Sequence, residues 1–440
     1  MKYEEFLKSK EKSFIESGFE VDENDLNPLL KDFQKYGVTN ALRKGRFAFF
    51  FDCGLGKTFC QLEWSRLVNE KTNHKVLILA PLAIVEQTKK EAKKFNIDID
   101  VFDITNYDQL KNIDVSIYGG IVLDESSILK GRDGKLSSLI ISKFRNFKYK
   151  LACSATPSPN DHMELGQHSE FLNGMTYLEI LAMYFVHDGG ETSKWRLRKH
   201  AEDDFWKYVS SWSMAIDKPD TLGFNGVGYN LPEIEFIEHT IKVENNNYTL
   251  FADVSVSATD LHKDLKRTFD DRIDKTIELV NSNNENWIIW ALSNDETNTL
   301  NKKIDEAINI QGSDKPEFKA KYLNGFANNE FRVLITKTSI ASMGMNYQNC
   351  HNMVFTSYDF KFEQFYQAVR RCYRFGQEFK VKVHLLIPES QTNVRQSILN
   401  KQENHFKMIR EMAKYSAKND YKKNKPQREY KKVQILTPNF

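Results

Sequence analysis

Cysteine is scarce: Cys53, Cys60, Cys153, Cys350 and Cys372 are scattered over 440 residues, with no C-x-x-C pair and no histidine at zinc-site spacing. That scatter excludes a disulfide framework and a zinc module, and reads as reduced thiols in a cytoplasmic protein. Charge of one sign is also lacking. The formal net charge is +2, so no global field marks a polyanion-binding protein, and any nucleic-acid affinity must come from local patches. No uninterrupted apolar run approaches the roughly 18 residues needed to span a bilayer. The stretch Met1 to Glu20 is charged throughout and has no apolar core of a secretory signal. A membrane partner is therefore not expected. No internal repeat at a short fixed period is present, which excludes a solenoid.

What is there suits a globular chain of two to three domains: 40% of residues are hydrophobic and 12% aromatic. Short runs rich in Val, Ile, Leu and Phe alternate with segments of helical period, the pattern of an α/β protein with parallel sheets buried on both faces. The first series comprises Arg46 to Phe51, Val76 to Ala80, Gly120 to Leu123 and Lys150 to Ser154. From Asn160 to Leu231 the sequence turns aromatic and helical in character, with Trp195, Trp206 and Trp212. The alternation resumes at Trp287 to Leu292, Arg332 to Ile335, Asn352 to Phe355 and Val381 to Ile387. This predicts a first lobe over 1–159, a helical accessory segment and linker over 160–232, a second lobe over 233–413 and a basic tail over 414–440.

The run Phe51-Asp52-Cys53-Gly54-Leu55-Gly56-Lys57-Thr58 follows a hydrophobic strand and opens a helix. Gly54 and Gly56 leave backbone N–H groups free to face phosphate, aided by the positive end of the helix. Lys57 supplies a charge for the β- and γ-phosphates, and the Thr58 hydroxyl is placed to ligate Mg²⁺. The strand Ile121-Val122-Leu123 ends in two carboxylates, Asp124 and Glu125. Asp124 is expected to hold Mg²⁺ and Glu125 to polarise the attacking water.

These residues, with others, resemble helicase superfamily two, and within it the Swi/Snf-like ATPases, from about Asn27 to Leu386. Leu82 to Gln87 is similar to motif Ia. Asp124 to Lys130 resembles the D-E-A-H form of motif II, with Ser126 and Ser127 where the family has alanine and histidine. Ser154-Ala155-Thr156-Pro157 is similar to motif III, and Phe33-Gln34 resembles the Q motif, whose glutamine reads the adenine edge. Val333 to Thr336 and Met343 to Asn346, including Gly344 as a nucleotide-site residue, resemble the segment through motif V. The stretch Gln364 to Gln377 closely resembles motif VI, Q-x-x-x-R-x-x-R-x-G-Q.

The resemblance implies two RecA-like P-loop lobes joined by a helical insertion, using ATP and Mg²⁺. Arg371 and Arg374, at i and i+3, are expected to share one helix face as arginine fingers. Gln367 is expected one turn earlier on that face, and Arg370 is expected to point elsewhere. The implied partner is DNA, duplex or single-stranded, held by its backbone near Pro81, Thr105, Lys337, Thr338 and Ser339. A protein partner remains open, and a monomer is expected. The chain resembles compact motors of viral or mobile-element genomes. An RNA helicase and a non-motor ATP-binding clamp are the competing readings.

Overall fold

The computed structural model describes residues 15–131, 134–188, 191–242, 258–343, 346–359, 361–389 and 392–420. Two compact units result: one runs to Gly226 and includes a return segment from Asn404, and the other is Val227–Glu403. The described residues contain no helix long and apolar enough to cross a membrane.

The strands of the first unit are β1 (Arg46–Phe51), β2 (Val76–Ala80), β3 (Phe102–Asn106), β4 (Gly120–Asp124), β5 (Tyr149–Cys153), β6 (Phe185–Asp188), β7 (Glu191–Leu197) and β8 (Ser213–Ile216). Its helices are α1 (Asp32–Lys44), α2 (Lys57–Thr72), α3 (Val85–Lys94), α4 (Lys135–Lys143), α5 (Leu165–Phe171), α6 (Tyr177–Tyr184) and α7 (Glu202–Trp212). Six strands form one sheet in the order β3-β2-β4-β5-β1-β8, and every pairing is parallel. Continuous apolar sequence makes the central strands: β2 and β4 are buried at every position, as expected where helices cover both faces. Each large apolar side chain so buried contributes about 1.5–3 kcal/mol.

Residues 160–226 build onto this same unit. Where the sequence reading expects a helical accessory segment running into a linker, the structure adds the hairpin β6–β7 and the strand β8 to α5, α6 and α7. Strands of four residues, such as β6 and β8, are too short for alternation to separate from helical period. β8 lies beside β1 with Phe51 opposite Ile216. Trp206 and Trp212 are fully buried, and Trp195 packs partly buried on the same core. These rings make core. Met408, Ile409 and Met412, from the return segment, complete that core.

The second unit contains β9 (Ile234–Ile241), β10 (Trp287–Ala291), β11 (Ala307–Ile310), β12 (Val333–Lys337), β13 (Asn352–Phe355) and β14 (Val381–Pro388). Its helices are α8 (Ala258–Arg267), α9 (Phe269–Val280), α10 (Asn294–Lys303), α11 (Pro316–Ala327) and α12 (Phe362–Val369), followed by α13 (Thr392–Asp420), whose later part belongs to the first unit. The sheet order is β11-β12-β10-β13-β14-β9, again all parallel. The chain is therefore α/β, with two RecA-like lobes.

A buried ion pair ties the second lobe together. Arg272 on α9 and Glu296 on α10 are 1% and 3% exposed. Arg272 also donates to the carbonyls of Thr356 and Leu265. Glu296 accepts from the backbone of Leu292 and Ser293 and from the Ser357 hydroxyl. With both charges fully hydrogen-bonded, the pair locks two helices to the end of β13.

Candidate active site

In the first lobe the phosphate-loop residues and the acid pair emerge from the same end of a parallel sheet. β1 ends at Phe51 and β4 at Asp124, with β5 between them. The C-terminal edge of such a sheet is where open α/β folds place ligands. After Phe51 the chain turns sharply, with Gly54 at φ +87° and Gly56 at φ +77°. A side chain at Gly56 would also collide with the amide nitrogen of Gln34, 2.3 Å from its Cβ position. Glycine is required there on both grounds.

Helix α2 starts at this glycine without a side-chain cap, so its first N–H groups keep their orientation toward a prospective anion. Lys57 bends back and donates to the Phe51 carbonyl at 2.8 Å. One turn on, Gln61 is 1% exposed and donates to Asp124 Oδ1 at 2.8 Å. Burial raises the Asp124 carboxyl above its ordinary range, against the opposing influence of the Gln61 hydrogen bond and the Lys57 charge. A cation beside this carboxyl would reverse that shift.

The donor set fits Mg²⁺: hard oxygens from Asp124 and Thr58, completed by phosphate and water. Among the described residues no cluster of three or more His, Cys, Asp or Glu side chains forms a protein-only cage.

Glu125 turns the chain at the strand end in the left-handed region, φ +55°. That conformation is uncommon for a residue with a Cβ and is frequent at functional sites. Tyr107 fixes the preceding residue by donating its hydroxyl to the Asp124 carbonyl at 2.6 Å. Ser126, in the altered part of motif II, meets His168 of α5 at 3.0 Å in a fully buried contact. Burial lowers His168 to about 4, so the imidazole is neutral at pH 7. In motif III, Ser154 and Thr156 are fully buried and the Ser154 hydroxyl accepts from the Thr156 amide at 3.1 Å.

Gln34 spans the loop and the start of α1. Its amide nitrogen donates to the Leu55 carbonyl at 2.9 Å and its oxygen accepts from the Lys31 amide at 2.9 Å. Phe33, also buried, lies against Phe51 with ring centroids 6.4 Å apart. The structure thus places the Gln34 side chain directly on the phosphate loop.

In the second lobe one expectation is corrected. Arg371 and Arg374 do not share a helix face, because α12 ends at Val369 and Arg370 caps it. Both arginines lie in the turns that follow. Hydrogen bonds draw the chain off the helical path: the Arg371 carbonyl accepts from the Tyr347 amide at 2.9 Å. Gln377 is 5% exposed, and its amide nitrogen reaches the carbonyls of Gln348, Cys350 and Cys372 at 3.2, 3.0 and 3.2 Å. Gly376, at φ +89°, makes the turn that brings it there.

The segment Asn346–Cys350 therefore holds the arginine turn from one side. Arg374 donates to the Asn346 side chain as part of this contact. Gln367 is buried within α12, one helix before the turn. Arg370 is buried too, its guanidinium 6.0 Å from the Tyr366 ring centre and 5.4 Å from that of Tyr373. It is a structural cation–π contact. Gly344 lies outside the described residues, as does the basic tail beyond Asp420.

The residues expected near a nucleic-acid backbone also fall at strand ends. Pro81 follows β2, Thr105 lies near the end of β3, and Lys337, Thr338 and Ser339 lie at and after the end of β12. Gln61, Tyr107 and His168 were not singled out from sequence, whereas Asn346 and Gln377 stand in the stretches that resemble motifs V and VI, with no role assigned to them there. Of the first three only Gln61 carried a readable signal, its i, i+4 spacing from Lys57.

Residues 271–376, from α9 through the arginine turn, match the family model of the helicase conserved C-terminal domain. No curated protein matches the chain. Among solved structures, a SWI2/SNF2 ATPase core from Sulfolobus solfataricus, solved in complex with dsDNA, aligns with 89% of this chain and 98% of that chain. The identity is 16% and the TM-score 0.42. Over residues 271–376 the second lobe is thus similar to the helicase conserved C-terminal domain, and this stretch includes most of the segment that resembles motif VI.

Proposed function

We propose that this chain is an ATP-dependent DNA translocase or helicase of the Swi/Snf-like branch of superfamily two. One observation carries the reading: a glycine loop, its lysine and a buried carboxylate converge at the C-terminal edge of one parallel sheet. The helicase C-terminal domain in the following lobe supports it. In this reading the first lobe binds ATP. The amides at Gly54 to Lys57 face the phosphates, Lys57 leaves the Phe51 carbonyl for the β- and γ-phosphates, and Gln34 senses the base. Mg²⁺, held by Thr58 and Asp124, supplies charge neutralisation for the departing phosphate.

Glu125 accepts the proton of the attacking water. Tyr107 and Gln61 hold the strand end and Asp124 in place, so little reorganisation accompanies the reaction. Arg371 and Arg374 neutralise charge that develops on the γ-phosphoryl oxygens. Release of that phosphate then ends the closed state and moves the grip on DNA by one step. The strand-end groups near Pro81, Thr105 and Thr338 contact the sugar-phosphate backbone, which makes binding sequence-independent and salt-sensitive.

The test is steady-state ATP turnover with no nucleic acid, with duplex DNA, with single-stranded DNA and with RNA. Stimulation by DNA above RNA is expected. Turnover indifferent to every nucleic acid would remove the motor from consideration, and stimulation by RNA alone would replace the partner.

A further inference from the structure

After Asp124 the chain leaves β4, reverses at Glu125 and runs into the short helical turn Ser126–Lys130. Glu125 is the tight point. A residue with a Cβ keeps a φ of +55° only where its surroundings over-determine it. The residue before it is fixed: Tyr107 donates to the Asp124 carbonyl at 2.6 Å and Gln61 to the Asp124 carboxylate at 2.8 Å. The Glu125 carbonyl accepts from the Ile128 amide at 3.3 Å. The residue after it, Ser126, is fully buried, and its hydroxyl meets Nε2 of His168 at 3.0 Å.

His168 is anchored well enough to hold that contact. It lies in α5, fully buried, with its ring edge-on to Phe50 at 5.4 Å between centroids. Phe50 belongs to β1 and precedes Phe51, whose carbonyl accepts from Lys57. Just before α5, Glu164 accepts from the backbone and side-chain amides of Asn160 at 3.2 and 2.8 Å, which ties the helix to the chain just past motif III. Leu165 and Phe171 of α5 share the lobe's core with Leu129 of the helical turn, and close packing of this kind resists sliding. Burial holds the imidazole in its neutral form, so it brings position and no charge to the neighbourhood of Asp124.

We propose that His168 is a positioning residue for ATP hydrolysis: through the Ser126 hydroxyl it fixes Glu125 from the following side, as Tyr107 does from the preceding one. The proposal rests on the reading of Glu125 as the acceptor of the water's proton. It adds a residue that stands outside every helicase-like motif, 42 positions after its partner. A reacting group displaced by about 1 Å can lose up to about 10²-fold in rate, and the net worth of one buried hydrogen bond corresponds to about tenfold.

The test uses the full chain with duplex DNA and measures ATP turnover, nucleotide affinity and melting temperature. H168F keeps a ring against Phe50 and loses the contact with Ser126. Its kcat should fall about tenfold while ATP affinity stays within about twofold. H168Q keeps a nitrogen within reach of Ser126 and should regain most of the rate. S126A removes the same contact from the other side with little change in volume, and should match H168F; it stands in for H168F if that variant melts early. S126A/H168F removes both polar partners, so its melting temperature should return toward the parent's while its rate stays low. By single-turnover quench, E125Q/H168F should be no slower than E125Q. Parental kcat in folded H168F and S126A would overturn the proposal and leave the ATPase reading standing. So would a rate that follows melting temperature across the series, or a further tenfold loss on the E125Q background. Parental turnover in E125Q would overturn it together with the role of Glu125, and a parent chain that hydrolyses no ATP with any nucleic acid would overturn the ATPase reading as well.

Discussion

Replacing Gln377 by alanine removes the amide that staples the arginine turn to Asn346–Cys350. Its two amide hydrogens are shared among the carbonyls of Gln348, Cys350 and Cys372, and its oxygen accepts from the Phe379 amide at 2.9 Å. That makes about three hydrogen bonds at a net worth of about 1 kcal/mol each, so Q377A should destabilise the second lobe by roughly 3 kcal/mol. The loss falls on the turn that carries Arg371 and Arg374. The phosphate loop belongs to the other lobe, so ATP affinity should stay near the parent's while kcat falls about 10- to 100-fold, equivalent to roughly 1.4–2.7 kcal/mol in the barrier. Nucleotide titration, steady-state turnover and amide exchange over 370–380 measure the three effects separately. Q377E retains the acceptor, loses the donor and should resemble Q377A. A Q377A chain with parental kcat and unchanged exchange through the turn would refute the positioning role.

Glu125→Gln should keep ATP binding and lose turnover, accumulating nucleotide-bound protein in a filter or quench assay; native-rate hydrolysis would remove Glu125 from the water-activating role. Arg371→Ala should leave ATP affinity within about twofold and cut kcat by about 10³-fold or more, and a change confined to affinity would contradict the finger role. Arg272→Met strands a buried Glu296 and should cost about 3–5 kcal/mol in urea unfolding, part of it regained in R272M/E296Q. Burial alone would raise the Glu296 carboxyl, but Arg272 and the hydrogen bonds from Ser357 and Ser293 hold it below the ordinary range. Its contribution is therefore full above about pH 4.3 and lost as pH falls further, a dependence that R272M should abolish. Burial, with the charges of His239, Lys382 and Lys275, lowers His384 to about 4. The unfolded chain takes up that proton first, so stability should fall as pH drops from about 6.5 toward 4. His384→Gln should reduce the fall; an identical pH profile for parent and variant would exclude it.

The central strands were legible because they are buried on both faces and spell continuous apolar runs, as in Val76–Ala80 and Trp287–Ala291. Within the two six-stranded sheets the strands that escaped notice, β3, β8, β9 and β11, are the edges. Position explains the gap. β3, β9 and β11 are half-exposed over most of their length, so their sequences mix Asp, Glu, Thr and Asn with the apolar residues. The remaining edge, Ser213–Ile216, is buried but only four residues long. The phosphate loop was readable because its chemistry is local: glycines, lysine and hydroxyl are consecutive. Tyr107 and His168 were not, since their partners at Asp124 and Ser126 lie 17 and 42 positions away and only the fold pairs them. The end of α12 escaped for a similar reason. Nothing in Arg370 to Arg374 breaks a helix, and what pulls the chain aside is the distant segment at Tyr347.

The first lobe borrows its last wall from a segment that follows the second lobe in sequence. Met408 and Met412 fill its core, and Ser210 of α7 donates to the Met412 carbonyl at 3.2 Å. During synthesis the lobe that emerges first must wait, its apolar floor open, until the whole of the second lobe has been made. Completion of the first lobe thus follows synthesis of the second, and a ribosome stalled inside the second lobe releases a polypeptide with exposed core, marked for chaperones or proteolysis.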